Sequence, residues 1–355
     1  MVTANPLLGV GLHTVGATAA ALCYTPQQGL RGWSWQTYWL SQAFICWFLA
    51  PIIGAWLTIP NLMEVLADAP KDAMLITFGL GIAYGIGGTA FGLAIRYIGY
   101  SLTYAIAIGI SCVIGTLSGP LLAGALSQIV EKEGSYWVLG GIAVGFAGTL
   151  FCGLAGRLKE VELGRDSAGK KDFALGKGLT LCGIAGVLSA IYGIAINDTG
   201  KPIAAVAAEH GAGDWQTNIV YIFANSGAFL TTSIYTIWLG VREKTFGEFS
   251  RPTTDAPGAL LTNYLLALLT GLLWYSQFLF YGLAHVRMGE FEFSSWAIHM
   301  IMLILFSSLA GVAMREWRTC RPLTKYTILL ALVMLVWAVL MLTYGNYLAE
   351  EAVGH

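Results

Sequence analysis

The chain has 355 residues, of which 56% are hydrophobic and only 11% are charged, against about 25% charged in an average soluble protein. This composition excludes an ordinary water-soluble globular protein. A mean hydropathy of +0.68 indicates many membrane-crossing helices, because each helix needs about 20 apolar residues to span hydrocarbon. A net charge of −1 without a polybasic segment gives no electrostatic basis for binding nucleic acid.

Ten apolar stretches, bounded by charged residues or proline, follow one another along the chain. They cover 7–25, 38–59, 73–95, 100–126, 136–155, 177–197, 217–239, 258–284, 291–314 and 326–348. No Asp, Glu or Arg lies in the middle of any stretch, as expected where an ionised side chain costs several kcal/mol. We therefore predict an all-α integral membrane protein with ten transmembrane helices.

Basic residues are divided unequally between the two sides of this arrangement. The connections after odd-numbered spans hold 15 Lys and Arg, whereas the remaining connections hold 4. Because cytoplasmic loops carry the excess of Lys and Arg, the odd-numbered connections are predicted to be cytoplasmic and both termini periplasmic. The long charged connection, 157–176, separates a first unit of five helices, 1–156, from a second, 177–355.

The two units share a short internal similarity. At an offset of 190 residues, Gly81, Tyr84 and the run 91–94 align with Gly271, Trp274 and the run 281–284. A duplicated unit of five helices must insert in opposite orientations, which is the inverted-repeat plan of many secondary transporters. Substrate sites of such transporters lie near the midplane between the repeats. A chance match between apolar segments is the alternative.

Aromatic and polar side chains form a stripe along the span 258–284. Trp274, Gln277, Phe278, Tyr281 and His285 fall within an arc of about 100° at helical spacing. Because a lipid-facing surface would not favour Gln and His, we predict that the stripe faces other helices or a cavity. Aromatic faces suit the C–H face of a sugar, and Gln277 offers hydroxyls a donor and an acceptor. A packed aromatic core is the alternative interpretation.

Titratable side chains suggest a second function for the neighbouring spans. Glu292, Trp296 and His299 share one face of span 291–314, and partial burial is expected to raise the pKa of Glu292 toward neutrality. His13, on one face with Tyr24, is another deep titratable group. We predict proton coupling by Glu292, His13 and His299. The alternatives are a Glu that stabilises a helix N-terminus and neutral histidines bonded between helices.

The first unit lacks the polar stripe at the corresponding positions. Tyr84, Gly87, Gly88, Phe91 and Ile95 occupy them in span 73–95. These small and apolar residues are expected to leave space opposite the aromatic stripe. Tyr84 and Gly88 therefore belong to the predicted substrate site, together with His13, Tyr24, Trp296 and His299 from the neighbouring spans. Close helix packing through glycines is the alternative.

Enzyme motifs are absent from the sequence. It contains no HExxH, GxSxG, Walker loop or CxxC pattern, so metal, acyl-enzyme and ATP-driven chemistry have no basis in the sequence. This disfavours a membrane-embedded enzyme, and the six cysteines are interpreted as small core residues.

Short motifs spread over nearly the whole chain carry a family resemblance. They are Trp33-Ser34-Trp35, Pro60-Asn61, Arg96-Tyr97, the run 105–110, 115–117, Asn197 with Lys201-Pro202, Trp274-Tyr275, Gln277-Phe278, Phe280-Tyr281, His285 with Arg287, and Ser295-Trp296 with His299. Together they resemble the L-rhamnose–proton symporters of the drug/metabolite transporter superfamily. The resemblance implies that superfamily's fold and proton-coupled uptake of a 6-deoxyhexose, such as L-rhamnose or L-fucose, across the bacterial cytoplasmic membrane. It also implies no bound cofactor, the proton as coupling ion and no obligate protein partner.

The chain departs from the family pattern beside the predicted site. That pattern has asparagine near Gly88, tryptophan at Tyr84 and aspartate at Glu292, and the loop 288–292 is about one residue shorter here. These departures concern the identity of the sugar more than the transport class. An exporter of drugs or amphipathic metabolites from the same superfamily is the alternative function.

Overall fold

The computed structural model describes residues 3–122, 124–166, 175–251 and 258–354, and every regular element within these ranges is a helix. Nine helices in the described ranges are long and apolar enough to cross a membrane. Large side chains such as Trp56, Leu57 and Leu75 are at least two-thirds exposed on their outer faces. Lipid tails cover such apolar surfaces in a membrane.

Ten long helices, α1 to α10, each overlap one of the ten predicted spans. They are α1 (Pro6–Leu22), α2 (Trp35–Thr58), α3 (Lys71–Ile98), α4 (Tyr104–Leu121), α5 (Ser135–Asp166), α6 (Gly176–Glu209), α7 (Asn218–Glu243), α8 (Ala259–His285), α9 (Ser294–Ala313) and α10 (Pro322–Gly354). Short helices, including Leu62–Asp68 and Leu126–Glu131, lie in the connections.

Among the long helices of the described ranges, α7 alone falls outside the apolar set of nine. Its 26 residues correspond to about 39 Å, which is enough to cross a membrane. Asn218, Asn225, Thr232 and Thr236 lower its hydropathy, and all four are buried. These polar groups face other helices and not the lipid, so they are compatible with a membrane span. The membrane crossing of α7 stays a prediction, because its hydropathy does not show it.

Among the boundaries that differ from the prediction, two affect the predicted connection and the candidate site. Helix α5 continues to Asp166, so the first part of the predicted connection 157–176 is helical, and residues 167–174 lie outside the described residues. Helix α9 begins at Ser294 rather than at 291, because a turn of 3-10 helix occupies Gly289–Phe291. Glu292 therefore precedes the helix, and its prediction on a helical face with Trp296 is wrong.

The long helices pack in a defined set of pairs. Helix α3 contacts α6 and α7, α8 contacts α1 and α2, α9 contacts α1, α4 contacts α6, and α5 contacts α10. Small residues allow this close packing. A Cβ atom at Gly141 of α5 would lie 2.8 Å from the Leu342 side chain of α10, and one at Gly345 would lie 2.7 Å from Val138.

Three of the helices contain a π-helical turn. These turns cover Phe44–Leu49 in α2, Tyr104–Ile108 in α4 and Ala195–Thr199 in α6. A π turn interrupts the regular hydrogen-bond ladder of an α-helix and is frequent at functional sites. The structure places all three near the candidate site described next.

Candidate functional site

The stripe on α8 faces the interior, as the sequence predicts. The exposed fractions are 3% for Trp274, 5% for Gln277, 3% for Phe278, 0% for Tyr281 and 8% for His285. The stripe does not form one site, however. Its first three residues line a cavity, and its last two belong to a separate cluster nearer the end of the helix.

The cavity has a volume of about 60 Å³. It is lined by six of the predicted substrate-binding residues, namely Tyr24, Tyr84, Gly88, Trp274, Gln277 and Phe278. A volume of this size holds a few water molecules. Side chains must therefore move apart before a ligand as large as a hexose can enter.

Polar groups line this cavity without protein partners. Among the described residues, none forms a hydrogen bond with the Gln277 amide or with the hydroxyls of Tyr24 and Tyr84. A buried polar group without a partner costs about 1–3 kcal/mol. The cavity is therefore suited to a ligand that supplies several donors and acceptors.

Aromatic rings of the wall pack on one another and on rings just behind it. Trp47 meets Trp274 edge to face, with 5.3 Å between ring centroids, and Tyr84 lies 4.2 Å from Tyr192. On the other side, Tyr24 stacks on Trp39 at 5.3 Å. The wall therefore combines flat apolar faces with the three free polar groups.

Trp47 limits the free space predicted opposite the aromatic stripe, which the structure contains as the small cavity. Its ring occupies the gap next to Gly88, where an added Cβ would lie 2.8 Å from Trp47 Cη2. Gly88 is therefore needed for the close approach of this ring. No pattern in the sequence singles out Trp47, because residues 43–57 around it are all apolar.

The π turns deliver residues to the site from three helices. Trp47 lies in the π turn of α2, and Tyr104, Ala107 and Ile108 in that of α4 line the same cavity. In the π turn of α6, the Asn197 amide donates a hydrogen bond of 2.8 Å to the Tyr281 hydroxyl. Backbone irregularity is thus concentrated around the site.

Tyr281 is the centre of the second cluster. The rings of His13, His285, Trp296 and His299 surround it at centroid distances of 5.3–5.6 Å, and His285 is stacked on it. None of these five residues lines the cavity. Phe278 connects the two regions, because its ring lines the cavity and stacks at 6.4 Å on His299.

Two buried histidines face each other within this cluster. His13 Nδ1 lies 3.4 Å from His299 Nδ1, and His13 Nε2 lies 2.8 Å from the Ser295 hydroxyl. Both histidines are completely buried. Because a hydrogen bond between the two Nδ1 atoms needs one donor and one acceptor, the tautomers of the pair are coupled.

Glu292 lies beside the cluster and is partly exposed. Its carboxylate contacts His285 Nε2 at 2.9 Å and Lys201 Nζ at 3.3 Å. Partial burial alone raises the pKa of Glu292, but the hydrogen bond to His285 and the positive charges of His285 and Lys201 outweigh it and lower the pKa to about 2. The prediction of a pKa near neutrality is therefore wrong for this conformation.

Two adjoining hollows, of about 400 and 900 Å³, open beside Glu292. Both are lined by Asn197, Lys201, His285, Gly289 and Glu292, and we call these five residues the mouth. The Tyr281 cluster lies between the mouth and the small cavity. A ligand or proton entering from this end therefore meets the histidines before it meets Gln277.

Ion pairs neutralise the basic residues at the mouth end of the bundle. Lys132 pairs with Glu290, Lys201 with Glu292, and Arg287 with Asp214. These are three of the four basic residues assigned to the less basic side from the sequence. The charge difference between the two ends is thus larger than the count of Lys and Arg alone suggests.

Comparison with known proteins identifies the family. Residues 2–346 match the family described as L-rhamnose-proton symport protein. The chain belongs to this family. The L-rhamnose-proton symporter of Cronobacter sakazakii is 33% identical over 324 residues, which are 89% of this chain and 92% of that protein.

Two further relatives give the same result. The L-rhamnose-proton symporter of Escherichia coli is 31% identical over 89% of this chain and 92% of its own length. That of Yersinia pestis is 31% identical over 88% of this chain and 90% of its own length. Family membership and the apolar helices together identify a multi-pass membrane protein.

Proposed function

We propose that the protein is a secondary active transporter that takes up L-rhamnose, or a closely related 6-deoxyhexose, together with a proton. One observation carries the proposal: between aromatic faces, a buried cavity presents an amide and two hydroxyls that have no partner among the residues that the structure describes. The relatives are named for the same sugar and ion. Export of drugs or other metabolites is not favoured by these names.

Sugar recognition divides between the two kinds of wall in this proposal. The Gln277 amide and the Tyr24 and Tyr84 hydroxyls bind sugar hydroxyls. Trp274 and Phe278 cover the C–H face of the ring and the methyl group of a deoxysugar. Because these buried polar groups would pair with sugar hydroxyls, the site would discriminate against sugars that lack one of those hydroxyls.

The proposed proton path begins at the mouth and ends beside the cavity. It passes from Glu292 to His285, 2.9 Å away, and ends at the pair of His13 and His299, which packs on the same Tyr281 ring as His285. Histidine is suited to this role because its charge changes near neutral pH. The proton is the coupling ion, and the mechanism needs no bound cofactor and no enzymatic step.

The proposed architecture is ten spans in two inverted repeats, with α1–α5 equivalent to α6–α10. Helix contacts support it. If each helix is exchanged for its equivalent in the other repeat, the contact of α1 with α8 becomes that of α6 with α3. In the same way, α1 with α9 becomes α6 with α4, and α2 with α8 becomes α7 with α3. The structure contains all six contacts. The α5–α10 contact is converted into itself. In a protein built from two such inverted repeats, the cavity would lie between the two related halves.

Transport into vesicles tests the proposed function. Inside-acidic and inside-alkaline gradients imposed on proteoliposomes should respectively oppose and drive the entry of labelled L-rhamnose. A protonophore should abolish accumulation, because no other energy source is proposed. Accumulation without a proton gradient, or accumulation that requires sodium, would contradict proton coupling.

Glu292→Gln separates binding from coupling. The amide imitates a protonated carboxyl, so sugar binding and sugar exchange across the membrane should persist while accumulation against a gradient is lost. Glu290→Gln is the matched control, because Glu290 pairs with Lys132 at the same end and is similarly exposed. A Glu292→Gln variant that still concentrates sugar would remove this residue from the proton path.

A further inference from the structure

A second recess lies at the opposite end of the bundle from the mouth, where α9 ends and α10 begins. It is a surface groove of about 350 Å³. We call it the basic groove because Arg315, Arg318 and Lys325 line it. It shares no residue with the cavity or the mouth.

The positive charge of the basic groove is not balanced by acids in its wall. Among the described residues, no Asp or Glu lines it, and the guanidinium groups of Arg315 and Arg318 have no hydrogen-bond partner. Two acids that contact this part of the chain are engaged elsewhere. Glu316 pairs with Lys159 at 2.5 Å, and Glu162 accepts hydrogen bonds from the backbone of Arg321 and the hydroxyl of Thr324.

Lys325 is oriented by the same segment of chain. Its ammonium group donates a hydrogen bond of 2.9 Å to the backbone carbonyl of Arg318. Three cationic side chains are thus gathered where the α9–α10 connection meets the first turn of α10, and an anion can approach them from the surface. Phosphate oxygens bind strongly to such clusters through charge-assisted hydrogen bonds.

The remainder of the basic groove is apolar and continues onto the outer face of α10. Ile328 is 5% exposed at its base, and Leu329 is 56% exposed on the lipid-facing surface. Leu332, one turn farther along, extends the apolar wall into the span. A soluble anion would gain nothing from this wall, and a lipid without net charge would gain little from the three cations.

We propose that the basic groove binds one anionic phospholipid. The headgroup phosphate lies against Arg315, Arg318 and Lys325, and an acyl chain lies along Leu329 and Leu332. Basic pockets between membrane helices are suited to anionic headgroups, whose attraction adds to burial of the acyl chain. The proposal is independent of the transported substrate.

Native mass spectrometry of the detergent-purified protein tests the proposal. Phosphatidylglycerol should remain bound, while phosphatidylcholine with the same acyl chains should dissociate. Inorganic phosphate and glycerol 3-phosphate should not displace the bound lipid at millimolar concentration. Equal retention of the two lipids would overturn the proposal, and so would displacement by either soluble phosphate. These comparisons use the unmodified protein and do not depend on the folding of a variant.

The double variant Arg315→Gln/Arg318→Gln locates the site. Each cation near a membrane surface contributes roughly fivefold to anionic lipid binding, so affinity for phosphatidylglycerol should fall about 30-fold. Lys244→Gln/Arg251→Gln removes the same charge from the α7–α8 connection and should leave the affinity unchanged. Unchanged affinity in the first variant, or an equal fall in both, would overturn the site.

Discussion

Gln277 illustrates what one residue contributes to the proposed sugar site. Its side chain is 5% exposed and has no protein hydrogen bond among the described residues. Such an amide is costly in the empty protein and favourable once a hydroxyl pairs with it. Its inward orientation was predictable from the sequence. Helical spacing puts it on one face with the aromatic residues, and Gln on a lipid-facing surface is unfavourable.

Replacement of Gln277 by Ala should weaken L-rhamnose binding by roughly 5- to 150-fold, because a sugar hydroxyl loses its partner in a desolvated site at a cost of about 1–3 kcal/mol. Isothermal titration calorimetry of the purified protein measures this change. Gln128→Ala, at an exposed position of the α4–α5 connection, is the matched control and should bind normally. Normal affinity in Gln277→Ala would show that the cavity is not the sugar site.

The ionisation of Glu292 can be followed directly. Since His285 and Lys201 lower its pKa to about 2, the carboxyl should be ionised at pH 5 and protonated only as the pH falls toward 2. The infrared C=O band of a protonated carboxyl, taken as the difference between wild type and Glu292→Gln, should be absent at pH 5. A band already present at pH 5 would mean that the ion pairs are broken in the resting protein.

The pKa of Glu292 shows where prediction from the sequence ends at this scale. Partial burial could be anticipated from its position near a span boundary, and burial alone would raise the pKa. The opposing charges come from Lys201 and His285, which no helical spacing relates to Glu292. Long-range pairing, rather than local pattern, determines the ionisation state.

At the scale of helices, the contact between α2 and α3 limits the size of the cavity. Trp47 fills the gap that Gly88 of α3 leaves open, and its ring touches the position of a Cβ at Gly88. The sequence predicted the small residues but not the ring that meets them. The evenly apolar segment 43–57 of α2 has no periodicity from which its inner face can be identified.

Gly88→Ala should displace Trp47 and destabilise the protein by about 1–3 kcal/mol, because the added methyl group overlaps the ring. The melting temperature of the protein and its affinity for the sugar should both decrease. A second change, Trp47→Phe, should restore much of the stability by removing the overlap. Gly79→Ala on the same helix is the control, because nothing lies within 4 Å of its added Cβ. Equal effects of the two Ala variants would contradict this packing.

The whole molecule has two chemically different ends. Acids pair with three basic residues at the mouth end, whereas the basic groove keeps its positive charge at the other. The count of Lys and Arg predicted this polarity from the sequence. The division of the α8 stripe into a cavity and a cluster was not predictable, because it depends on how α1, α2 and α9 pack around it.

Reporter fusions test the predicted orientation. A periplasm-specific reporter fused to the C-terminus should be active, and one inserted after residue 166 should be inactive, because basic connections remain in the cytoplasm. A cytoplasm-specific reporter at both positions should give the reverse pattern. Cytoplasmic activity at the C-terminus would reverse the assignment of the two ends.

The three π turns divide the bundle into bendable and stiff parts. In α2, α4 and α6 the hydrogen-bond ladder is already interrupted beside the cavity or the Tyr281 cluster, and helices bend most readily where it is interrupted. Helices α5 and α10 are uninterrupted and packed on each other through glycines. Helices α2, α4 and α6 can therefore bend at their π turns, while α5 and α10 stay straight. Enlargement of the cavity around a sugar would then need no breakage of an intact helix.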